Sequence, residues 1–297
     1  MRTITAMLSI VFIPAGLVLA QTDSWPVRTN DNIIVAAYNI QWLGNMGHDL
    51  DKLAEVIQHF DVCGIVEVKK EPRLQELVAA LESKTGHDWG YVFGLRTHRP
   101  SGNYHEAGAA VWRRDRVEIG DGVVSNIWDL EEAFRNDPFI VSFKRRNFDF
   151  TLFLVHTRWS DDDEGSRDGE IGMIGEQLLW MRDFMTERDW LVAGDFNYPG
   201  SKQVMKDMAE ETGLVQLDSD PKSTFKRNLR AYANSYDHIY VFDGETPEYE
   251  AGSCDTLDVT KLIYGSNSTA NMGKSKRELS DHLPVFAIFD VTQTDDD

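Results

Sequence analysis

A series of short apolar runs, most of them ending in a polar side chain, constrains the fold of this chain more than any other feature. Residues 191–193 are apolar, Gly194 follows them, and Asp195 and Asn197 come next, two positions apart. Side chains two apart on an extended backbone project to the same side, so this stretch predicts a buried strand with a carboxylate and a carboxamide at its mouth, where Gly194 allows a sharp turn. A lone Asp-x-Asn is more often just a turn, so the prediction of a site depends on the other runs.

Other apolar runs end in the same way, each in a side chain with an oxygen or nitrogen donor. One run ends at Asn39, another at Glu67 and a third at His156, whereas Asp281 and His282 stand side by side before a final apolar run. These strand ends supply the remaining members of one constellation.

Amphipathic helical patterns lie between the strands. Apolar residues recur at helical spacing within 53–60, 74–81 and 171–184. The stretches that predict strands are 33–39, 62–67, 109–112, 140–143, 148–155, 191–193, 236–241 and 285–290. The alternation predicts an α/β fold in which two layers of sheet are covered by helices on the outside. We expect a single domain at 33–290, preceded by an extension at 21–32 and followed by an acidic tail at 291–297, because large α/β folds often form one unit of about 250 residues.

The first twenty residues predict a secretory signal peptide. Arg2 gives a basic start, residues 6–19 are apolar, and small residues lead up to Ala20. Pro14 and Gly16 within that run argue against a membrane-spanning helix, and no other stretch is apolar enough to cross a bilayer. We therefore expect a secreted or periplasmic protein without stable membrane insertion.

The net charge lowers the expectation of a nucleic-acid partner without excluding it. Removal of residues 1–20 takes away Arg2 alone, which leaves 29 basic residues against 49 acidic ones and a formal charge of −20. A binder that relies on a broad basic face has the opposite balance.

The two cysteines, Cys63 and Cys254, leave a disulfide open, although Cys63 in a core strand is expected to be a small buried hydrophobe.

Seven short motifs occur in a characteristic order along residues 33–288. They are N-I-Q-W, I-V-E-V, Y-H-E, V-H-T, G-D-F-N, Y-D-H-I and S-D-H-L-P-V. Each is weak alone, but their order and spacing resemble the endonuclease/exonuclease/phosphatase superfamily, in particular its deoxyribonuclease I branch. The resemblance implies a four-layer α/β/β/α sandwich and a hydrolase that cleaves phosphoesters.

The resemblance also implies a divalent metal held by oxygen donors. Hard oxygen ligands suit Mg²⁺ or Mn²⁺, and also Ca²⁺, better than zinc. The implied metal ligands are Asn39, Glu67, Asp195, Asn197 and Asp281.

Two histidines with acidic partners are the candidates for proton transfer. Glu106, in the Y-H-E motif, is the predicted partner of His156, and Asp237, in the Y-D-H-I motif, is the predicted partner of His282. A carboxylate bonded to one ring nitrogen fixes the tautomer and leaves the other nitrogen for the substrate. The resemblance implies that His282 activates water and His156 protonates the leaving oxygen, but the sequence leaves this order open. The predicted catalytic set is His156, His282, Glu106, Asp237, Asp195 and Asn197.

The resemblance to deoxyribonuclease I makes DNA the expected substrate, with RNA also allowed, for a monomeric endonuclease. The residues expected to bind it are Lys69, Tyr104, Arg135 and Thr224. Lys69 stands where the family has a groove-reading arginine, so it keeps the charge and loses the planar fork. One alternative is a secreted phospholipid phosphodiesterase of the sphingomyelinase kind or a phosphatase, and another is a catalytically inactive binding module on this fold.

Overall fold

The computed structural model describes residues 25–95, 105–127, 133–161 and 166–294. The strands are β1 (Asn32–Leu43), β2 (Val62–Val68), β3 (Trp89–Phe93), β4 (Ala107–Arg113), β5 (Glu118–Asn126), β6 (Phe139–Arg145), β7 (Phe148–His156), β8 (Trp190–Asp195), β9 (Leu214–Gln216), β10 (Asp237–Phe242), β11 (Asp255–Thr256) and β12 (Val285–Asp290). The helices are α1 (Leu50–Ile57), α2 (Glu71–Thr85), α3 (Arg167–Arg182), α4 (Gln203–Thr212), α5 (Val259–Tyr264) and α6 (Thr269–Glu278).

The strands form two six-stranded mixed sheets. The first sheet has the order β11-β12-β1-β2-β4-β3, and the second has the order β5-β6-β7-β8-β10-β9. Each sheet contains one parallel pair at its centre, β1 with β2 and β7 with β8, whereas the other pairs are antiparallel. The carboxyl ends of a parallel pair lie at the same sheet edge, which is where the sequence predicts the functional side chains.

Three buried clusters hold four layers together. The middle cluster lies between the two sheets and includes Val35 and Leu152. A second cluster packs Leu53 of α1 against the outer face of the first sheet, and a third packs Ile171 of α3 against Phe153 of the second sheet. Each fully buried side chain of this size contributes about 1.5–3 kcal/mol. The predicted α/β/β/α sandwich is therefore confirmed.

The helix boundaries follow from capping residues. The side chain of Asp49 accepts a hydrogen bond from the backbone N–H of Lys52 at the start of α1, and Ser166 accepts one from Gly169 at the start of α3. Helix α2 ends at Thr85 and is capped by Gly86, whose φ of +69° favours glycine.

The structure corrects three details of the sequence analysis. Helix α3 ends at Arg182, so Phe184 lies beyond it and is 72% exposed instead of completing the apolar stripe. Val291 belongs to the core and not to the acidic tail, since it is fully buried and its N–H donates to the carbonyl of Asp31. The edge strand β5 gave no sequence signal, because most of its side chains are exposed and no alternation arises.

Cys63 and Cys254 are free thiols, with Cys63 in the core. Within the described ranges, no helix combines the length and the apolar character that crossing a bilayer requires. The predicted signal peptide at 1–20 and the last three residues of the predicted tail lie outside the described residues.

Candidate active site

The register of the second sheet brings three of the predicted catalytic residues side by side. His156 on β7 lies opposite Asp195 on β8 in the parallel pair, and Asp195 lies opposite Asp237 on β10 in the antiparallel pair. Neighbouring strands are about 4.8 Å apart. Residues distant in the sequence therefore meet at one sheet edge through backbone pairing alone.

Gly194 is required by the close approach of two strands. It lies within β8 at a φ of +135°, and a Cβ added to it would be 2.0 Å from the carbonyl oxygen of Val155 on β7. The sequence predicts a sharp turn here. The structure shows instead that the missing side chain lets β7 and β8 stay paired through Gly194 to Asp195.

Asn39 and Glu67 come from the parallel pair of the first sheet and join the site to the second sheet. Asn39 Nδ2 donates to Glu67 Oε1 at 2.9 Å and to Asp195 Oδ2 at 3.0 Å. Glu67 has a φ of +64°, and its other carboxylate oxygen accepts the backbone N–H of Trp42 at 3.1 Å. A left-handed residue without glycine costs about 1–2 kcal/mol, so the fold holds this carboxylate in place against a local preference.

The first histidine pair consists of His156 and Glu106. His156 Nδ1 is hydrogen-bonded to Glu106 Oε1, and Lys69 Nζ donates to Glu106 Oε2 at 3.0 Å. Burial lowers the pKa of His156, but the charge of Glu106, the bond to it and the carboxylates of the site outweigh burial and raise that pKa to about 10. Burial also opposes ionisation of Glu106, yet His156 and Lys69 outweigh it and lower the pKa of Glu106 to about 2.

The second histidine pair consists of His282 and Asp237. His282 Nδ1 lies 2.8 Å from Asp237 Oδ2, and the backbone N–H of His282 donates to Ser280 Oγ at 3.0 Å. The Ser280 hydroxyl in turn donates to the carbonyl of Asn39 at 2.6 Å, which ties this segment to β1. Burial lowers the pKa of His282, but the negative charges of Asp237 and Asp195 outweigh burial and raise it well above its ordinary value.

Both imidazoles present Nε2 to the same carboxylate. His156 Nε2 lies 3.8 Å from Asp195 Oδ2, and His282 Nε2 lies 3.6 Å from the same oxygen. His156 Nε2 is also 3.8 Å from Glu67 Oε1. Because each Nδ1 is engaged by a carboxylate, each Nε2 is left to exchange a proton with a group bound between the two rings.

Asn197 and Asp281 both lie at the site, but Asn197 is not on an extended backbone as the sequence predicts. Asn197 has a φ of +53°, so the backbone after Asp195 is not extended, and the backbone N–H of Asn197 donates to Asp195 Oδ1 at 2.8 Å. Asn197 Nδ2 donates to the carbonyl of Thr157 at 2.8 Å. Asp281 Oδ2 lies 3.4 Å from Lys276 Nζ. Both Asn197 and Asp281 line the cleft at the site.

The donor set suits a divalent cation bound by oxygen. Burial raises the pKa of Glu67, and the opposing effects of His156 and of the Asn39 hydrogen bond offset burial only in part. Asp237 Oδ1 is buried and has no hydrogen-bond partner among the described residues. Ligand atoms of Asp195, Asp237 and His282 lie within 4.8 Å of one another. A divalent cation would offset this concentration of carboxylate charge.

A cleft of about 320 Å³ opens onto this site, and Arg135 is one of its lining residues. Lys69 is only 7% exposed and is held by Glu106, so its position is behind the first histidine pair and not in the groove contact that the sequence predicts. Thr224 pairs with His282 through an isolated β-bridge. Tyr104 lies outside the described residues.

Two positioning residues carried no sequence signal. Asn136 Nδ2 donates to the carbonyl of His156 at 3.0 Å. Glu170 on α3 is buried and accepts the backbone N–H groups of Arg135 and Arg158, each at 2.8 Å. A single glutamate on a helix is ordinarily a solvated residue, and only the packing of α3 against the sheet shows that this one fixes two segments of the cleft wall.

Comparison with known proteins gives a consistent result. The model of the Endonuclease/Exonuclease/phosphatase family matches residues 36–282. The chain is 30% identical over 265 residues to a deoxyribonuclease of Thioalkalivibrio sp. (strain K90mix), a match that covers 86% of this chain and 70% of that protein.

Two solved structures share the fold at low identity. One is an endonuclease/exonuclease/phosphatase family protein from Bacteroides thetaiotaomicron, with a TM-score of 0.59, 17% identity and coverage of 90% of this chain and 98% of its own. The other is a mannosyl-6-phosphatase from the same organism, with a TM-score of 0.56, 18% identity and coverage of 86% and 98%. The same fold is thus found in a phosphatase, so substrate preference has to be argued from the site.

Proposed function

Since the chain belongs to the endonuclease/exonuclease/phosphatase family, we propose that it is an exported, divalent-metal-dependent phosphodiesterase that cuts DNA, with RNA also allowed, at little sequence preference. One observation carries the proposal: His156 Nε2 and His282 Nε2 lie 3.8 and 3.6 Å from Asp195 Oδ2, and each ring is oriented by its own buried carboxylate. Two oriented imidazoles around one acidic centre suit a reaction that needs one proton removed and one supplied.

Hydrolysis of a phosphodiester requires one group that removes a proton and another group that supplies one. The attacking water loses a proton as its oxygen bonds to phosphorus, and the leaving oxygen gains a proton as its bond to phosphorus breaks. We assign the first transfer to His282, whose raised pKa a cation bound at the neighbouring carboxylates would lower, and the second to His156. Asp195 lies between them, where its charge stabilises whichever ring is protonated. The products are an alcohol and a phosphomonoester, and no other reactant is consumed.

Glu67, Asp195 and Asn39 are the residues that would hold the cation, together with Asn197 and Asp281 at the cleft wall. A bound divalent ion supplies polarisation of the phosphoryl oxygen and neutralises the charge that develops on it. The protein residues contribute the fixed geometry: Asn39 bridges the two carboxylates, and the backbone N–H of Trp42 holds the second oxygen of Glu67.

DNA is the favoured substrate for two reasons. The relative from Thioalkalivibrio bears the name deoxyribonuclease, and Arg135 places a cation on the cleft wall. Export is supported by the signal-like sequence at 1–20. The intact ligand set and both histidine pairs argue against an inactive binding module, because a decayed site should have lost members.

The test is a substrate panel on purified protein. Supercoiled plasmid, RNA, sphingomyelin and an inositol phosphate are each incubated with Mg²⁺, Mn²⁺ or Ca²⁺, and with chelator. We expect nicked and then linear plasmid with at least one of the metals and no cleavage with chelator. The His156→Ala, His282→Ala double variant serves as the control for contaminating nuclease. Turnover of sphingomyelin or the inositol phosphate with intact plasmid would contradict the proposal.

A further inference from the structure

Two exposed tryptophans line the cleft beside the catalytic residues. Trp42 is 38% exposed and Trp159 is 73% exposed. Trp89 and Trp190, in contrast, are almost fully buried in the core. Leaving an indole in water forgoes the stabilisation that its burial would give. An exposed pair in one cleft therefore points to a ligand that covers them.

The backbone places Trp42 against its own conformational preference. Gln41 and Trp42 have consecutive left-handed φ angles of +49° and +56°. Strain of this kind concentrates at functional sites. The same conformation lets the Trp42 N–H donate to Glu67 Oε2. The backbone of Trp42 is thus fixed to a carboxylate predicted to bind the metal, and its side chain lines the same cleft.

Trp159 is carried by a segment that a buried ion pair fixes. Glu170 Oε2 accepts the backbone N–H of Arg158 at 2.8 Å and its Nε at 3.1 Å, and both side chains are almost completely buried. Trp159 follows directly, three residues after His156. The backbone that carries the Trp159 ring is therefore held in place before a flat ligand stacks on it.

The charge of the chain favours aromatic recognition over phosphate recognition. With 49 acidic and 30 basic residues, the net charge of the chain disfavours binding of a polyanion. Stacking of a base on an aromatic ring does not depend on net charge, and it contributes about 1–3 kcal/mol per base regardless of sequence. Such contacts can offset the lack of a broad basic face.

We infer that Trp42 and Trp159 form a subsite that stacks on unpaired nucleobases, which makes single-stranded nucleic acid the preferred substrate class. The inference rests on the proposed function. The faces of bases inside a duplex are covered by their neighbours, so the two rings gain access only to a strand that is single or locally opened.

The experiment compares three substrates of the full-length protein. They are a single-stranded oligodeoxynucleotide, the duplex of the same sequence, and bis(4-nitrophenyl) phosphate, which has no nucleobase. The variants are Trp159→Ala, Trp42→Ala and the conservative Trp159→Phe and Trp42→Phe. The control is Trp180→Ala, which removes an exposed indole on α3 that packs against Phe184 and is not among the residues lining the cleft.

For the wild type we expect a lower KM on the single strand than on the duplex. Each alanine change should raise the KM for the single strand on the order of 5- to 100-fold. In the same variants, the ratio of kcat/KM for the single strand to kcat/KM for the small diester should fall. Phenylalanine should restore most of the loss, and Trp180→Ala should match the wild type. Fluorescence quenching of the wild type by the oligonucleotide, reduced in Trp159→Phe, gives a readout independent of turnover.

The two proposals fail in different ways. If the wild type cleaves the small diester and no nucleic acid, the proposed function is wrong and the inference falls with it. If the wild type cleaves DNA but the alanine variants keep the wild-type KM ratio between single strand and duplex, only the inference is wrong. It is also overturned if Trp159→Ala abolishes binding to phosphatidylcholine and sphingomyelin vesicles and leaves the KM for the single strand unchanged, since Trp159 would then be a membrane contact.

Discussion

The two histidine pairs share one geometry but differ in what stands behind the carboxylate. In the first pair, Lys69 Nζ lies 3.0 Å from the outer oxygen of Glu106. In the second pair, Asp237 has no lysine or arginine within ion-pair distance among the described residues. Its backbone N–H donates to Ser223 Oγ at 3.2 Å, and no residue in the described ranges donates a hydrogen bond to its buried Oδ1.

The difference changes the electrostatics of two groups that do similar work. The pKa of Glu106 is lowered to about 2, whereas burial raises the pKa of Asp237. Glu106 is therefore a fixed anion within a buried ion pair, and Asp237 is a carboxylate whose ionised form is costly. The first pair should be the more important for stability, and the second should be the one that most needs a cation nearby.

The greatest loss of activity is expected from replacing the carboxylates that both histidine pairs face. Glu67→Ala and Asp195→Ala should each abolish turnover and leave the fold intact, because both carboxylates belong to the predicted metal site. Turnover with saturating Mg²⁺ or Mn²⁺ and circular dichroism of each variant make the measurement. Activity near the wild-type level in either one would contradict the metal-site assignment.

Removal of one imidazole should have the next largest effect. His156→Ala and His282→Ala should each lower kcat on the order of 100- to 10,000-fold, the usual range for a general acid or base. The double variant should lose less than the product of the single losses, since both groups serve one transition state. Metal titration of His156→Ala should give the wild-type affinity. A fully multiplicative double loss would show that the two rings act in separate steps.

The carboxylates should separate the two pairs by stability. Glu106→Gln removes the buried carboxylate that faces both the Lys69 ammonium and the His156 ring, so we expect a loss of about 3–5 kcal/mol in the free energy of unfolding. Asp237→Asn removes a carboxylate whose burial is already costly, and its loss should be smaller. Addition of Lys69→Met to Glu106→Gln should recover part of the stability. Equal losses for the two single variants, measured by urea unfolding at pH 7, would erase the proposed difference.

The same comparison fixes the sign of the pH dependence. The folded-state pKa of Glu106 is about 2, below its ordinary value near 4.5. The stability that Glu106 contributes is thus fully present above pH 4.5 and is lost as the pH falls toward 2. Urea midpoints between pH 6 and 3 should fall more steeply for the wild type than for Glu106→Gln. Parallel curves would show that Glu106 keeps its ordinary pKa in the folded protein.

The smallest effect is expected on the cleft wall. Arg135→Ala should weaken DNA cleavage and reduce the salt slope by about one, because a protein that neutralises one phosphate fewer releases about one counterion fewer on binding. Cleavage of a small diester should change less than cleavage of DNA. The measurement is KM for both substrates between 50 and 200 mM salt. Equal losses on the two substrates would give Arg135 a structural role.

The sequence predicted the strand ends because parallel pairing places them at one edge. His156 and Asp195 end β7 and β8, and Asn39 and Glu67 lie in the carboxyl-terminal parts of β1 and β2. The register of the two central parallel pairs then determines their proximity. The pairing of each histidine with its acid came from the family resemblance, and the hydrogen bonds of both pairs agree with it.

The other features of the site depend on tertiary packing, which the spacing of residues along the sequence does not encode. The position of Lys69, two residues after Glu67, does not predict its burial. Lys69 is held by a hydrogen bond to Glu106, which directly precedes β4. The left-handed φ of Asn197 and the hydrogen bonds that Glu170 accepts from the cleft wall both depend on tertiary structure. Trp159 carried no periodic signal, and its place in the cleft follows from the segment after β7.

In the proposed mechanism, the first histidine pair supplies the proton to the leaving oxygen and the second removes the proton from water. The most direct measurement uses an oligonucleotide in which sulfur replaces the leaving oxygen, because a thiolate departs without protonation. The rate of His156→Ala relative to the wild type should be largely restored on this substrate, whereas His282→Ala should stay as impaired as on the natural diester. Restoration of His282→Ala instead, or of neither variant, would contradict the account.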